Sequence, residues 1–343
     1  MTFKDQNFCS KVFLASQKHQ LLTDNSRYLL AVSGGLDSMV LLDFFRRFAK
    51  KKFKSRFIVA HLDHGLRPES GDDAQWLQDA CAAQNLDCVS TRIKIKDLLA
   101  SSQHSSLEAL ARECRYDWLL SQAQKHDCRY IVTAHHANDQ AETILMRLIR
   151  GSQRGLSGMP YCRALEDCIL IRPFLGLTRT ELESYAQYHQ IVWREDASNH
   201  SQDFFRNRVR SQLMPLLLEE NPQLLQQLNA HSQSWRDEQD WISKQAKALF
   251  ADLVEPSTES FQIQCKPLIE LHPALQRALV REILTAYTGR WCRFTQTHIE
   301  AIIDLAHGPG AKSLDLPAAL HVTKRSGRLQ FILKPIQDNR ETY

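Results

Sequence analysis

The residues best suited to chemistry in this chain are Ser33, Gly34, Gly35, Leu36, Asp37 and Ser38, which stand between an apolar run and a helical pattern that begins near Met39. At such a junction unpaired backbone N–H groups and the helix dipole favour an anion, and glycines let the backbone approach phosphate closely. The two serine hydroxyls add donors. Asp37 is out of place beside phosphate unless it helps to hold a magnesium ion between itself and a nucleotide. The competing reading is an ordinary glycine turn capped by Ser and Asp. The Walker pattern Gly-x-x-x-x-Gly-Lys-Ser/Thr and the dinucleotide pattern Gly-x-Gly-x-x-Gly are both missing, which disfavours a γ-phosphate-transferring P-loop protein and a dinucleotide site.

Other polar segments could join this loop. His61-Leu62-Asp63-His64-Gly65-Leu66-Arg67 and Thr133-Ala134-His135-His136, followed by Asp139, each come after an apolar run. A histidine in such a place also serves as a packed or capping residue. Arg112 could clamp phosphate, but Glu108 lies four residues before it, the spacing of a surface ion pair. Arg206, Asn207, Arg208 and Arg210, beside Phe204 and Phe205, suit phosphate contact and stacking on unpaired bases, or else a solvated helix start. The stretch from Arg150 to Met159 could close over a ligand. Lys312, Lys324, Arg325 and Arg328 could grip RNA near the chain end.

The elements that must position these groups alternate. Strands are expected at 27–32, 57–62, 88–93 and 130–134, and helices at 38–49, 72–84, 106–125, 139–150 and 178–190. This is the pattern of βαβ units around a parallel sheet, where ligands sit at the carboxyl ends of the strands. A long Gln-rich helix is expected from Pro222 to about Phe250, and then helices and short strands to the end. The fold class is therefore α/β, a Rossmann-like parallel sheet with a helical linker and a small α+β C-terminal domain. The domains expected are 1–216, 217–255 and 256–343.

Length and composition agree with a globular protein of more than one domain: 343 residues, 43% hydrophobic and 24% charged. A net charge of +4 permits an RNA partner without demanding one. Nine scattered cysteines, with no CxxC pair, fit a reduced cytoplasmic setting and show no zinc spacing. No apolar run is long enough for a membrane helix.

The hexapeptide at Ser33–Ser38 resembles the PP-loop of the N-type ATP pyrophosphatases, also described as adenine nucleotide alpha-hydrolase-like. These proteins cleave ATP between the α- and β-phosphates. The full set of segments, with Glu108–Arg112, Arg115-Tyr116, Arg154–Met159, Asp196-Ala197-Ser198-Asn199 and Arg206–Arg210, resembles the tRNA(Ile)-lysidine synthetase family. The resemblance implies ATP and Mg2+ as cofactors, and a tRNA(Ile) with a CAU anticodon and free L-lysine as partners, with a homodimer left open. It implies nucleotide contacts at Ser33–Ser38, His61 and Arg112, and magnesium-holding or catalytic carboxylates at Asp37 and Asp139. It also implies tRNA contacts at Asn199, Arg206, Asn207, Arg208 and Arg210. The base that deprotonates lysine is left open among Asp139, His135 and His136. The family usually shows two adjacent acidic residues where this chain has Asn138 and Asp139. The rival readings are a PP-loop tRNA thiolase, which needs cysteines that carry sulfur, and a non-catalytic nucleotide-binding regulator.

Overall fold

The computed structural model describes residues 3–65, 70–99, 107–152, 155–194, 205–257, 260–288 and 294–333. Asn199 and its Asp196–Ser198 neighbours, with Arg67 and Arg154, lie outside the described residues. The chain divides into two compact units, Met1–Trp235 and Arg236–Tyr343, and the division falls inside one long helix.

The first unit carries helices α1 (Phe3–His19), α2 (Leu36–Phe44), α3 (Lys50–Lys52), α4 (Ser70–Ala82), α5 (Ile95–Leu99), α6 (Leu107–Lys125), α7 (Ala137–Ile149), α8 (Arg179–Tyr188), α9 (Phe205–Arg208), α10 (Met214–Glu220) and the start of α11 (Leu224–Leu253). Its strands are β1 (Arg27–Ala31), β2 (Arg56–Asp63), β3 (Cys88–Arg92), β4 (Tyr130–Val132), β5 (Cys162–Leu165) and β6 (Cys168–Ile171). They pair in the order β3-β2-β1-β4-β6-β5, all parallel except β5, which runs antiparallel to β6. The strand order reverses between β1 and β4, so the loops after these two strands diverge and leave a crevice at their carboxyl ends. The Ser33–Ser38 and Thr133–Asp139 segments occupy those two loops.

The strands were legible because both faces of the sheet are covered. Along β1, Tyr28 and Leu30 pack with Phe8 and Val12 of α1, Leu41 and Phe44 of α2, and Leu182 and Tyr185 of α8. Leu29 and Ala31 point the other way, onto Trp118, Leu119 and Ala123 of α6. This period of two with apolar residues on both sides makes the run continuously hydrophobic. Turns at the amino ends of the strands each use one left-handed residue: Asn25 before β1, Lys54 before β2, Asn85 before β3 and Asp127 before β4. Asn and Asp adopt this conformation at least cost among residues with a side chain.

The α1 helix and the β5–β6 hairpin were not among the expected elements. The second unit has β7 (Val254–Ser257), β8 (Ser260–Gln264), α12 (Cys265–Glu270), α13 (Pro273–Thr288), α14 (Gln296–His307), β9 (Lys312–Leu316), β10 (Leu320–Arg325) and β11 (Arg328–Leu333). Its strands form an antiparallel sheet in the order β7-β8-β11-β10-β9. Two of its expected RNA cations have internal partners. Lys324 Nζ donates to Ala306 O and Gly308 O at the end of α14, at 2.6 and 2.5 Å, and Arg328 pairs with Glu255 at 2.8 Å. No helix among the described residues is long and apolar enough to cross a membrane.

Phe44 is fully buried, and its ring meets Phe8, Phe13, Phe45, Phe48 and Phe174 at 5.8–6.2 Å between centroids. Phe44→Ala is expected to lower the unfolding free energy by about 3–5 kcal/mol in urea titration. Leu14→Ala, at a side chain left 65% exposed, should change it by less than about 0.5 kcal/mol. Equal effects at the two positions would contradict this account of the core.

Candidate active site

The phosphate loop is shaped by its own backbone. Gly34 sits at φ +91°, which only glycine adopts without strain, and a Cβ there would point at the Trp76 ring at 3.6 Å. Gly35 caps α2 without any side-chain hydrogen bond. The N–H groups of the first turn, next to Asp37, therefore face the crevice as anion donors. Ser38 Oγ donates to Gly35 O at 2.9 Å and accepts from Ser33 N at 3.1 Å, which closes the loop. Arg194 holds it from outside: its N–H donates to Gly34 O at 3.0 Å, its guanidinium lies over Trp76 at 5.5 Å and also pairs with Asp73 at 2.8 Å.

The second loop starts helix α7. His136 is the N-cap: its Nδ1 accepts from Asn138 N at 3.2 Å, while Asp139 Oδ2 accepts from His136 N at 3.0 Å. The reciprocal box leaves His136 Nε2 facing two carboxylates, Asp37 Oδ2 at 3.5 Å and Asp139 Oδ2 at 3.4 Å. Burial alone would push the His136 imidazole down, but Asp139 and Asp37 outweigh it and hold its pKa above the ordinary value. Asp139 shows the converse: burial would raise it, yet His136, Arg206 and His135 hold it well below the usual carboxylate range. The neighbouring His135 is drawn down to about 3 by burial, with Arg172, Arg115 and Arg206 adding to the effect against Asp139. Its Nδ1 shares a 2.8 Å hydrogen bond with Thr133 Oγ1.

Glu142 lies one turn beyond Asp139 on the same face of α7 and is buried. Arg206 donates Nε to Glu142 at 2.9 Å and Nη2 to Asp139 at 2.8 Å. Arg210 donates Nε to Glu142 at 2.6 Å and Nη2 to Asp139 at 3.3 Å. Between the two loops opens a cavity of about 630 Å³, whose lining includes Ser33, Asp37, Arg115, His135, Asp139 and Arg194. One carboxylate oxygen in it is unsatisfied. Asp37 Oδ1 is buried and has no hydrogen-bond partner among the described residues. A group of this kind fits a hard divalent cation, and magnesium commonly takes one or two carboxylates with substrate phosphates and water. Asp139 is already engaged by two guanidinium groups, a backbone N–H and the imidazole.

The PP-loop domain family matches residues 7–217. A tRNA(Ile)-lysidine synthase of Geobacillus kaustophilus is 33% identical over 325 residues, which cover 94% of this chain and 70% of the relative. Another, from Bacillus anthracis, is 31% identical over 335 residues, covering 95% and 70%. The chain belongs to the tRNA(Ile)-lysidine synthase family. Among solved structures, the U34-tRNA thiolase NcsA of Methanococcus maripaludis with its [4Fe-4S] cluster has a TM-score of 0.56 at 16% identity, over 67% of this chain and 79% of that one. That likeness concerns the fold.

With the chain in the lysidine synthase family, the residues expected from the sequence can be placed one by one. Ser33, Gly35, Leu36, Asp37, Ser38, His135 and Asp139 line the cavity. His61 and Arg112 do not. His61 Nδ1 lies 2.9 Å from Val32 O, a buried tie between the ends of β2 and β1. Arg112 is exposed on α6 with its guanidinium 5.1 Å from the Tyr116 ring, and Arg115, one turn on, reaches the cavity in its place.

Arg206 and Arg210 both pair with Asp139 and Glu142, and Arg210 also lines the cavity. Arg208 is exposed and stacks over Phe205 at 5.7 Å, and Asn207 is half-buried. Asn138 uses its side-chain oxygen to accept from Arg179 N at 3.0 Å, at the start of α8. The Arg150–Met159 stretch is pinned at its far end. Gln140 clamps Met159 through bonds of 3.0 and 2.6 Å, and a Cβ on Gly158 would lie 2.6 Å from Gln140 Oε1.

Sequence reasoning gave no role to Glu142, Arg115 or Arg194. Glu142 carried a signal, its i+3 spacing from Asp139, but Arg194 carried none.

His136→Asn keeps an N-cap acceptor and removes the ring from between the carboxylates. Because the folded pKa of His136 is raised, its stabilisation is fully present below its unfolded value of about 6.5 and is lost as pH rises through the folded value. The stability gap between wild type and His136→Asn should therefore be widest near pH 6 and close towards pH 9 in urea titrations. A gap that widens with pH would contradict the imidazolium.

Proposed function

We propose that this chain joins lysine to C2 of the wobble cytidine in an isoleucine tRNA with a CAU anticodon, using ATP and releasing AMP and pyrophosphate. The product, lysidine, pairs with A in place of G, so decoding shifts from AUG to AUA. The observation that carries the proposal is the unpartnered Asp37 oxygen at the mouth of the phosphate loop, in a chain aligned to lysidine synthases over 94% of its length. Cytidine O2 attacks the α-phosphorus of ATP and pyrophosphate leaves. The ε-amine of lysine then attacks C2, the C–O bond breaks, and AMP departs.

The chain's own groups can be assigned to these demands. The N-terminal N–H groups of α2 and the Arg115 guanidinium meet the triphosphate oxygens as charge moves onto them. Asp37 would hold magnesium through Oδ1, with Asp139 beside it. Bound magnesium would neutralise charge between the phosphates and lower the barrier to pyrophosphate departure.

His136 keeps both carboxylates ionised and fixed. Its Nε2 faces both carboxylates and its Nδ1 is taken up as the cap of α7, so neither ring nitrogen is open to the lysine proton. His135 is neutral at pH 7 and lines the cavity, so it is the histidine with a lone pair to offer. Burial depresses its pKa most, with Arg172, Arg115 and Arg206 adding to it, and a bound triphosphate would offset only the arginine part. Lysine as second substrate, a homodimer and a cytoplasmic setting complete the proposal. The last of these is supported by the cysteines, since Cys81, Cys128, Cys168 and Cys265 are buried and form no disulfide among the described residues.

The test uses labelled lysine, ATP and an unmodified CAU-anticodon isoleucine tRNA transcript. Incorporation into RNA is expected from the wild type, and its absence with folded protein would sink the proposal. Asp37→Asn should slow pyrophosphate release by at least about 10²-fold, the scale of losing one preorganised charge-stabilising group, with unchanged circular dichroism. His135→Gln should slow lysine transfer more than adenylation. Wild-type rates in either variant would remove that residue from the mechanism.

A further inference from the structure

The opposite edge of the parallel sheet carries a second pocket that the reaction does not use. It lies where β1 and β2 begin, has a volume of about 290 Å³, and is lined by Arg27, Lys50, Ser55, Arg56, Asn85 and Asp87 among others. Three of these side chains are cationic and one is acidic. Arg27 and Arg56 are register partners on adjacent strands, so their Cα atoms stand about 5 Å apart. Like charges in such neighbouring positions are destabilising.

Little within the protein relieves them. Arg27 donates to His126 O at 3.3 Å and has only a 3.9 Å contact with the 96% exposed Asp127. Neither Lys50 nor Arg56 has a carboxylate at ion-pair distance among the described residues. An independent observation comes from the pocket wall. Ser55 is 2% exposed, yet its hydroxyl has no hydrogen-bond partner among the described residues. A buried hydroxyl without a partner is unfavourable, and a ligand oxygen in the pocket would supply the partner.

We propose that this pocket, formed by Arg27, Lys50, Ser55 and Arg56, binds a phosphate-type oxyanion at the edge of the sheet away from ATP. Guanidinium groups from two adjacent strands offer paired donors, the geometry that suits a tetrahedral oxyanion. The Lys50 ammonium adds a point charge, and the Ser55 hydroxyl donates from the buried wall. The anion is either a backbone phosphate of the RNA substrate or free phosphate.

The probe is radiolabelled inorganic phosphate in equilibrium dialysis against the full chain, with the ATP site filled by a non-hydrolysable ATP analogue. One equivalent per chain is expected. Arg56→Gln should weaken it by about tenfold or more, as for a charged hydrogen bond, and Ser55→Ala by about fivefold. Arg56→Lys should restore only part of the affinity lost in Arg56→Gln, and Ser55→Ala should not lower the urea midpoint in phosphate-free buffer.

The source is decided by tRNA kinetics. If the anion belongs to RNA, Arg56→Gln raises KM for tRNA, lowers the salt slope of tRNA binding by about one, and leaves kcat unchanged. If KM for tRNA does not move while phosphate binding is lost, the ligand is free phosphate. Absence of a bound equivalent, or an affinity that neither Arg56→Gln nor Ser55→Ala alters, would overturn the proposal.

Discussion

The His136 imidazole between Asp37 and Asp139 is the interaction on which the rest of the site depends. The two carboxylates belong to loops that follow neighbouring strands but separate at the point where the strand order reverses. Left alone, they would repel across a partly buried crevice. A single ring nitrogen within 3.5 Å of both converts that repulsion into a clasp. The same ring caps α7 through its other nitrogen, so the geometry of helix, loop and carboxylate pair is set by one side chain. Net charge follows the same logic. Three carboxylates, Asp37, Asp139 and Glu142, face two guanidinium groups, Arg206 and Arg210, and the His136 ring. The additional guanidinium of Arg115 is then left over to meet an anionic substrate.

Arg206 and Arg210 illustrate why burial changes what a basic motif means. On a solvated helix start, guanidinium groups beside phenylalanines suit RNA contact. Here Glu142 is buried on α7, and leaving such a carboxylate unpaired costs several kcal/mol. The two arginines are the cations that satisfy it, each also reaching Asp139. The helix after the Asp196–Asn199 segment is thereby tied to the helix that carries Asp139. Arg208, two residues from each, escapes because the helical period turns it outward onto Phe205.

The centre of the sheet was legible because β1 and β4 are short apolar runs buried on both faces. The phosphate loop was legible from its glycines and from the misplaced acid at Asp37. The β5–β6 hairpin was not, because Cys168–Ile171 offers four apolar residues beside a loop already rich in glycine, and no local signal sets it apart. Helix α1 was also missed, since residues 3–19 mix charged and apolar positions with only weak periodicity. In the site, partners brought together by the fold were invisible: Arg194 reaches the phosphate loop from far along the chain, and nothing beside it in sequence marks that contact. His61, at a strand end, ties two strands through Val32 O, a contact that its neighbours in sequence do not announce.

The α6 arginines show where a family resemblance and a geometry part company. Arg112 and Arg115 stand three residues apart on one helix, so a motif that contains both does not say which one faces the ligand. Helix rotation decides it. Arg115 is turned into the cavity and is held at a lowered pKa by burial, a guanidinium that an incoming phosphate would compensate. Arg112 stays outside on the Tyr116 ring, one turn closer to the helix start. A desolvated guanidinium such as that of Arg115 interacts strongly with a nearby negative charge because water is excluded from it.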